Sequence, residues 1–197
     1  MNHPYQYNML IISIDIGIKN FAYVILETFE GNINVLEWNI LKLCDDETNA
    51  SKVDLICVGE GIREKCFPLI EKYTFDKIVI ENQIGPNAIR MKMIQGMVSM
   101  FFVMNEYSSD NIVNYNAVNK LKHYQEGKKK TTYQERKKLS KKVCETLVKT
   151  VFLDYEEVYS KSKKKDDLAD CLLQGIDYVH KQKEIDENIF SIVKSEM

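Results

Sequence analysis

Apolar residues in this chain fall into two kinds of run, short continuous ones and longer ones spaced at three and four, and the two kinds alternate along the sequence. Met9 to Asp15 is a β-branched run that reads as a buried strand, and Gly17 supplies a turn into a second β-rich run from Asn20 to Leu26. Ile33 to Ile40 alternates apolar and polar residues like a third strand, with Trp38 interrupting the alternation. Together these three predict an antiparallel meander. Val53, Ile56, Cys57, Ile62, Cys66, Leu69 and Ile70 lie near helical spacing, which predicts a helix from about Ser51 to Tyr73. Phe75 to Ile80 is a fourth strand that ends at Glu81. Pro86 marks a helix start, and Met93, Ile94, Met97, Met100, Phe101 and Met104 carry that helix to about Glu106. Ile112 to Tyr115 reads as a fifth strand, Thr132 to Thr150 as a helix, and Lys164 to Val179 as a last helix before a charged tail.

Composition narrows the picture. A chain of 197 residues, 45% hydrophobic, can bury one substantial core, and nothing in it reads as a linker, so residues 1–197 are expected to form a single domain. The longest apolar runs fall short of the roughly 20 residues that span a bilayer, which predicts a soluble protein with no membrane partner. Met1 to Tyr7 lacks the basic and apolar regions of a signal peptide, and this predicts an intracellular, reducing compartment. Cys44, Cys57, Cys66, Cys144 and Cys171 form no CxxC pair. An odd, scattered set reads as buried apolar filler rather than a disulfide or zinc framework.

The formal net charge of −2 hides an asymmetry. Between Lys120 and Lys142, ten basic residues face two acids, Glu126 and Glu135, a local balance of 10 − 2 = +8. Local potential governs attraction over a Debye length, so this segment suits a polyanion.

Acids end two of the predicted strands and open the last helix: Asp15, Glu81, and Asp166, Asp167 and Asp170. Carboxylates at the ends of buried strands are costly unless paired, hydrogen-bonded or bound to metal. Their repulsion raises their proton affinity until a cation binds, so three such clusters point to a divalent-metal site. On the helix, Asp167 and Asp170 are three apart and Asp166 and Asp170 four apart; either pair shares a face, and spacing does not choose between them. Acids in a first helical turn also oppose the macrodipole, which is their ordinary structural role. His3, His123 and His180 have no metal-ligand spacing.

The element order and the motifs Ser13-Ile14-Asp15-Ile16-Gly17-Ile18-Lys19-Asn20, Ile80-Glu81-Asn82-Gln83, the lysine-rich Gly127 to Lys142 segment and Lys165-Asp166-Asp167-Leu168-Ala169-Asp170 resemble the RuvC-type Holliday junction resolvases, in particular their poxvirus branch. The resemblance covers nearly the whole chain. It implies a ribonuclease H-like α/β fold, a central mixed five-stranded sheet flanked by helices. It also implies a homodimeric endonuclease that cuts four-way DNA junctions by paired symmetric nicks with two Mg2+ ions per site, for which Mn2+ should substitute. Asp15, Glu81, Asp167 and Asp170 become the metal-binding and catalytic acids, Asp167 being preferred to Asp166 through the family's Asp-x-x-Asp spacing. Lys120, Lys122, Lys128, Lys129, Lys130, Arg136, Lys137 and Lys138, with Gln83 and Arg90, become candidates for DNA contact. No one of the lysines stands out as approaching the scissile phosphate. Tyr124 and Tyr133 could stack on an unpaired base or serve as amphipathic packing. Met93, Met97, Met100 and Met104 become candidates for the dimer contact. Host-cell cytoplasm or virion is the implied location. Two other readings compete: a non-catalytic branched-DNA-binding protein on the same scaffold, and a nucleotide phosphate-binding module, for which the chain is short and lacks a second glycine-rich loop.

Overall fold

The computed structural model describes residues 8–44, 49–50, 52–85, 88–116, 118, 120–125 and 131–197. Five strands form one mixed sheet in the order β3-β2-β1-β4-β5, namely β1 (Met9–Asp15), β2 (Phe21–Phe29), β3 (Asn32–Leu41), β4 (Lys77–Glu81) and β5 (Ile112–Tyr115). The first three are antiparallel neighbours, whereas β4 runs parallel to β1 and β5 parallel to β4. This is the predicted meander extended by two crossovers. Its centre is β1, whose Ile11, Ile12 and Ile14 are fully buried.

Helices cover both faces. On one lie α1 (Leu55–Lys72) and α2 (Ile89–Met104), packed on Ile12, Ile14, Phe21, Ile78 and Ile80. On the other lie α3 (Tyr133–Thr150), α4 (Glu156–Lys161), α5 (Lys165–Lys181) and α6 (Asn188–Glu196), over Ile11, Val24, Leu26 and Val79. Covered on both sides, β1 and β4 must be apolar at consecutive positions, which is why they read as continuous runs. Helix α5 lies close against the sheet because Gly175 has no side chain; a Cβ there would stand 2.6 Å from Leu26 Cδ1 and 3.0 Å from Ser13 Cβ.

The interruption at Trp38 has a local cause. Pairing of β2 with β3 shifts between Ile25 and Leu26, so Ile25 pairs with Glu37 and Leu26 with Val35. This bulge at Leu36 switches the parity of the strand. Ile33 and Val35 before it, and Trp38 and Ile40 after it, consequently all reach the core shared with α5.

Three expectations change. The charged tail contains α6, whose Ile189, Phe190 and Val193 are buried at helical spacing, a signal present in the sequence but masked by the surrounding charge. Pro86 lies outside the described residues, and α2 begins at Ile89. Cys66, Cys144 and Cys171 are buried and free as expected, whereas Cys44 and Cys57 are joined by a disulfide, with Cα atoms 6.2 Å apart. The chain after β3 returns to the first turn of α1, and spacing alone does not reveal that return. Among the described residues, no helix is long and apolar enough to cross a membrane.

Candidate active site

Asp15 closes β1 and Glu81 closes β4, and because these strands are parallel neighbours both carboxylates emerge at the same edge of the sheet. The chain turns sharply just beyond Asp15, where a Cβ on Gly17 would stand 2.5 Å from the Asn20 carbonyl oxygen. Asp170 arrives from the first turns of α5. Its position is fixed by the Trp38 indole N–H, which donates to the Leu168 carbonyl at 3.2 Å, and by Ser140 Oγ of α3, which donates to Asp170 Oδ1 at 3.2 Å.

The three acids act on one another. Burial holds the Asp15 carboxyl well above its ordinary value, and Glu81, which accepts a hydrogen bond from its protonated form, and the charge of Asp170 push it further. Among the described residues, Lys120 opposes this. Its Nζ lies 2.8 Å from Asp170 Oδ1. Burial would depress the Lys120 ammonium, but Asp170, Glu81 and Asp15 outweigh it and hold it above its usual value, so the lysine stays charged. One ammonium thus faces three carboxylates.

The other helix acids divide. Asp166 accepts from Lys137 Nζ of α3 at 2.6 Å, and although burial opposes it this pair holds the Asp166 carboxyl below its ordinary value. Asp167 has no such partner among the described residues, and burial and then the charge of Asp166 raise its carboxyl. It feels Asp170 but is not among the groups that perturb Asp15.

Glu81, Asp170 and Lys120 line an open groove of about 790 Å3, whose walls carry Lys122, Arg136 and Lys137. Tyr133 also lines it, 64% exposed, with Lys137 Nζ 5.6 Å from its ring centroid. Tyr124 instead is buried against Phe190, so it serves packing. Lys138 is exposed on α3 outside the groove. Arg90 is bonded to the Val53 carbonyl and ties α2 to the segment before α1. Gln83 lines the groove and donates to Glu81 Oε2 at 3.3 Å. Lys128, Lys129 and Lys130 lie outside the described residues.

Ser140 and Gln95 had no sequence signal. A serine among lysines and a glutamine among methionines become informative only when their partners are known.

Among the described residues, no group of three His, Cys, Asp or Glu side chains is drawn close enough to hold a metal ion. The donor set nevertheless fits a hard divalent cation. It offers carboxylate oxygens only, it carries more negative than positive charge, and its central acid is driven toward protonation by burial and by the charges of Glu81 and Asp170.

On α2, Met93, Met100 and Met104 are 50%, 53% and 74% exposed, while Met97 is half-buried against α1 with its methyl carbon over Gly59. Met97, Met100 and Met104 line an apolar groove between α1 and α2 that includes Phe67 and Phe101.

The sequence profile described as Poxvirus A22 protein matches residues 9–182. Among solved structures, the fold is similar to the fowlpox virus resolvase in complex with Holliday junction DNA, with a TM-score of 0.61 at 24% identity over 88% of this chain and 99% of that one. It is similar also to the yeast mitochondrial Holliday junction resolvase (TM-score 0.59, 16% identity, 98% and 89% of the two chains) and to RuvC of Thermus thermophilus (TM-score 0.59, 11% identity, 88% and 97%). At these identities the likeness establishes the RuvC-type, ribonuclease H-like fold. No curated protein sequence matches the chain.

Proposed function

The chain belongs to the Poxvirus A22 protein family, and from that premise we propose that it is a divalent-metal-dependent endonuclease that resolves four-way DNA junctions by paired symmetric nicks. The observation that carries this reading is the meeting of Asp15, Glu81 and Asp170, from β1, β4 and α5, beside a basic groove. Asp170 and Glu81 each have a donor, from Lys120, Ser140 and Gln83, yet three carboxylates still crowd together where burial and mutual charge raise the proton affinity of Asp15.

Asp15, Glu81, Asp170 and Asp167 are the residues that would hold two magnesium ions. Bound there, the ions supply an acidified water for attack on phosphorus and charge neutralisation at the leaving oxygen. Asp15 sits on the central strand, the most rigid mount in the fold, and fixes the site relative to the sheet. Lys120 meets an incoming phosphate as a cation already stripped of most of its water. Lys122, Arg136 and Lys137 track the backbone as charges and read no bases. Paired nicks require two sites related by a two-fold axis, which one copy of the chain cannot supply. The exposed Met93, Met100 and Met104 make α2 the surface for an isologous contact with a second copy.

Incubation of an end-labelled four-way junction with protein and Mg2+ tests the reading. Symmetric nicks are expected. Binding without cleavage would assign the chain to non-catalytic branched-DNA binding, and no binding would remove nucleic acid as the partner. Met100→Glu, placed on the exposed side of α2, should shift dimer toward monomer in sedimentation and abolish paired cutting.

A further inference from the structure

Helix α2 is apolar on almost every side, yet one of its four buried residues is Gln95, only 8% exposed. A buried amide is costly unless its polar atoms are matched. Both ends of this one are. Gln95 Oε1 accepts the backbone N–H of Gln83 at 3.0 Å, and Gln95 Nε2 donates to Asn114 Oδ1 of β5 at 2.7 Å. The Gln83 contact falls where the sheet ends. Register between β4 and β5 closes at Glu81 and Tyr115, and Asn82 N–H still reaches the Tyr115 carbonyl at 2.8 Å. Gln83 lies one residue further, beyond any strand partner, and the Gln95 side chain takes that partner's place. The chain is thereby held along the sheet axis for one more residue. That residue's side chain donates from Nε2 to Glu81 Oε2.

We propose that Gln95 is a positioning residue for the metal site, acting through Gln83 to orient the Glu81 carboxylate. The inference rests on the nuclease reading, which makes Glu81 a metal ligand. A carboxylate at a strand end has free torsions and two equivalent oxygens. A donor fixed by the backbone selects one orientation, and partners of this outer kind change metal affinity about 10–100-fold. Asn114 holds the Gln95 amide from the β5 side, so three elements converge on one carboxylate.

The test is Mn2+ binding to the full-length protein without DNA, followed by electron paramagnetic resonance. Gln95→Met keeps the length and volume of the side chain and removes both hydrogen bonds. It is expected to weaken Mn2+ about tenfold while sedimentation stays unchanged. Gln83→Ala should give a loss of the same size, and the double variant no more than either alone, because both act along one path. Wild-type Mn2+ affinity in folded Gln95→Met, or losses that add in the double variant, would overturn the proposal. If Gln95→Met does not fold, Asn114→Ala, which leaves the Gln95 amide free to turn, should show a smaller loss, and unchanged affinity in both Asn114→Ala and Gln83→Ala overturns it equally. An unmodified protein that neither binds Mn2+ nor cuts a junction removes the nuclease reading together with this one. Cleavage by the wild type with metal affinity indifferent to Gln95 removes this one alone.

Discussion

Helix α5 carries an acid toward each end, Asp177 buried and Asp170 half-buried, and the two have different surroundings. Near its C-terminus Asp177 is 1% exposed, and its Oδ2 accepts from Tyr115 OH and from Lys181 Nζ, both at 2.8 Å. The N-terminal end brings Asp170 to Asp15 and Glu81, where Lys120 is the single cation in contact among the described residues. Lys181 lies one turn from Asp177 on the same helix, so that ion pair is a local property of the sequence. The Asp15 cluster comes from three distant segments, and burial first, then the charges of Glu81 and Asp170, work against the ionised Asp15. An acid that serves stability is neutralised by its own chain. On the proposed reading, the acids of the Asp15 cluster carry more negative charge than Lys120 offsets, and the balance would be supplied by a bound cation.

The contrast is most easily broken by exchanging charge for neutrality. Asp15→Asn is expected to lower junction cleavage by at least about a thousandfold, the ~4 kcal/mol scale of a group acting directly on a transition state. Junction binding should survive, and the metal-free protein should melt higher because repulsion is relieved. Glu81→Gln and Asp167→Asn should also be inactive. A folded Asp15→Asn protein that cleaves normally would end the catalytic assignment.

Asp177→Ala should do the reverse. Losing the acceptor leaves Tyr115 OH without its partner, at a cost of about 2 kcal/mol, which lowers the melting temperature by roughly 4–8 °C for a chain of this size. Cleavage per folded molecule should be retained, as measured by active-site titration against cleavage rate.

The pH dependence follows from Asp15, whose carboxyl is raised by burial and by Glu81. A group with a raised folded pKa binds more protons in the native state than in the unfolded one between its two pKa values. Stability therefore falls as pH rises from about 4 through the folded value. Magnesium should remove that slope, since it binds the ionised form. Denaturant melts across pH with and without Mg2+ measure it, and a slope indifferent to magnesium would separate Asp15 from metal.

The smallest effect is expected at Asp166. It sits in the same helical turn as Asp167 but resembles Asp177, because Lys137 already neutralises it. Asp166→Asn should change cleavage less than about fivefold, in keeping with the ~1 kcal/mol ceiling on partly exposed ion pairs. Loss of activity in Asp166→Asn with retention in Asp167→Asn would exchange their roles.

By itself, the sequence determined the five strands, the long helices α1, α2, α3 and α5, and the ends at which the acids stand, but not α4 or α6. Continuous β-branched runs define β1 and β4 because both faces of those strands are covered, and Asp15 and Glu81 stand out as candidate site residues because an acid at the end of such a run is out of place. The tertiary structure decided which charges meet. Lys120 enters the carboxylate cluster and Lys137 takes Asp166, a division that depends on how the segment after β5 and helix α3 each lie against α5. It also decided that Cys44 reaches Cys57, that a bulge turns Trp38 onto α5, that Met97 faces α1 while Met100 faces outward, and that Gln95 completes the sheet beyond Glu81. Periodicity is a property of neighbours in the chain and is written in their order. Pairing between residues far apart in sequence depends on the mutual orientation of packed elements, which only the closed core fixes.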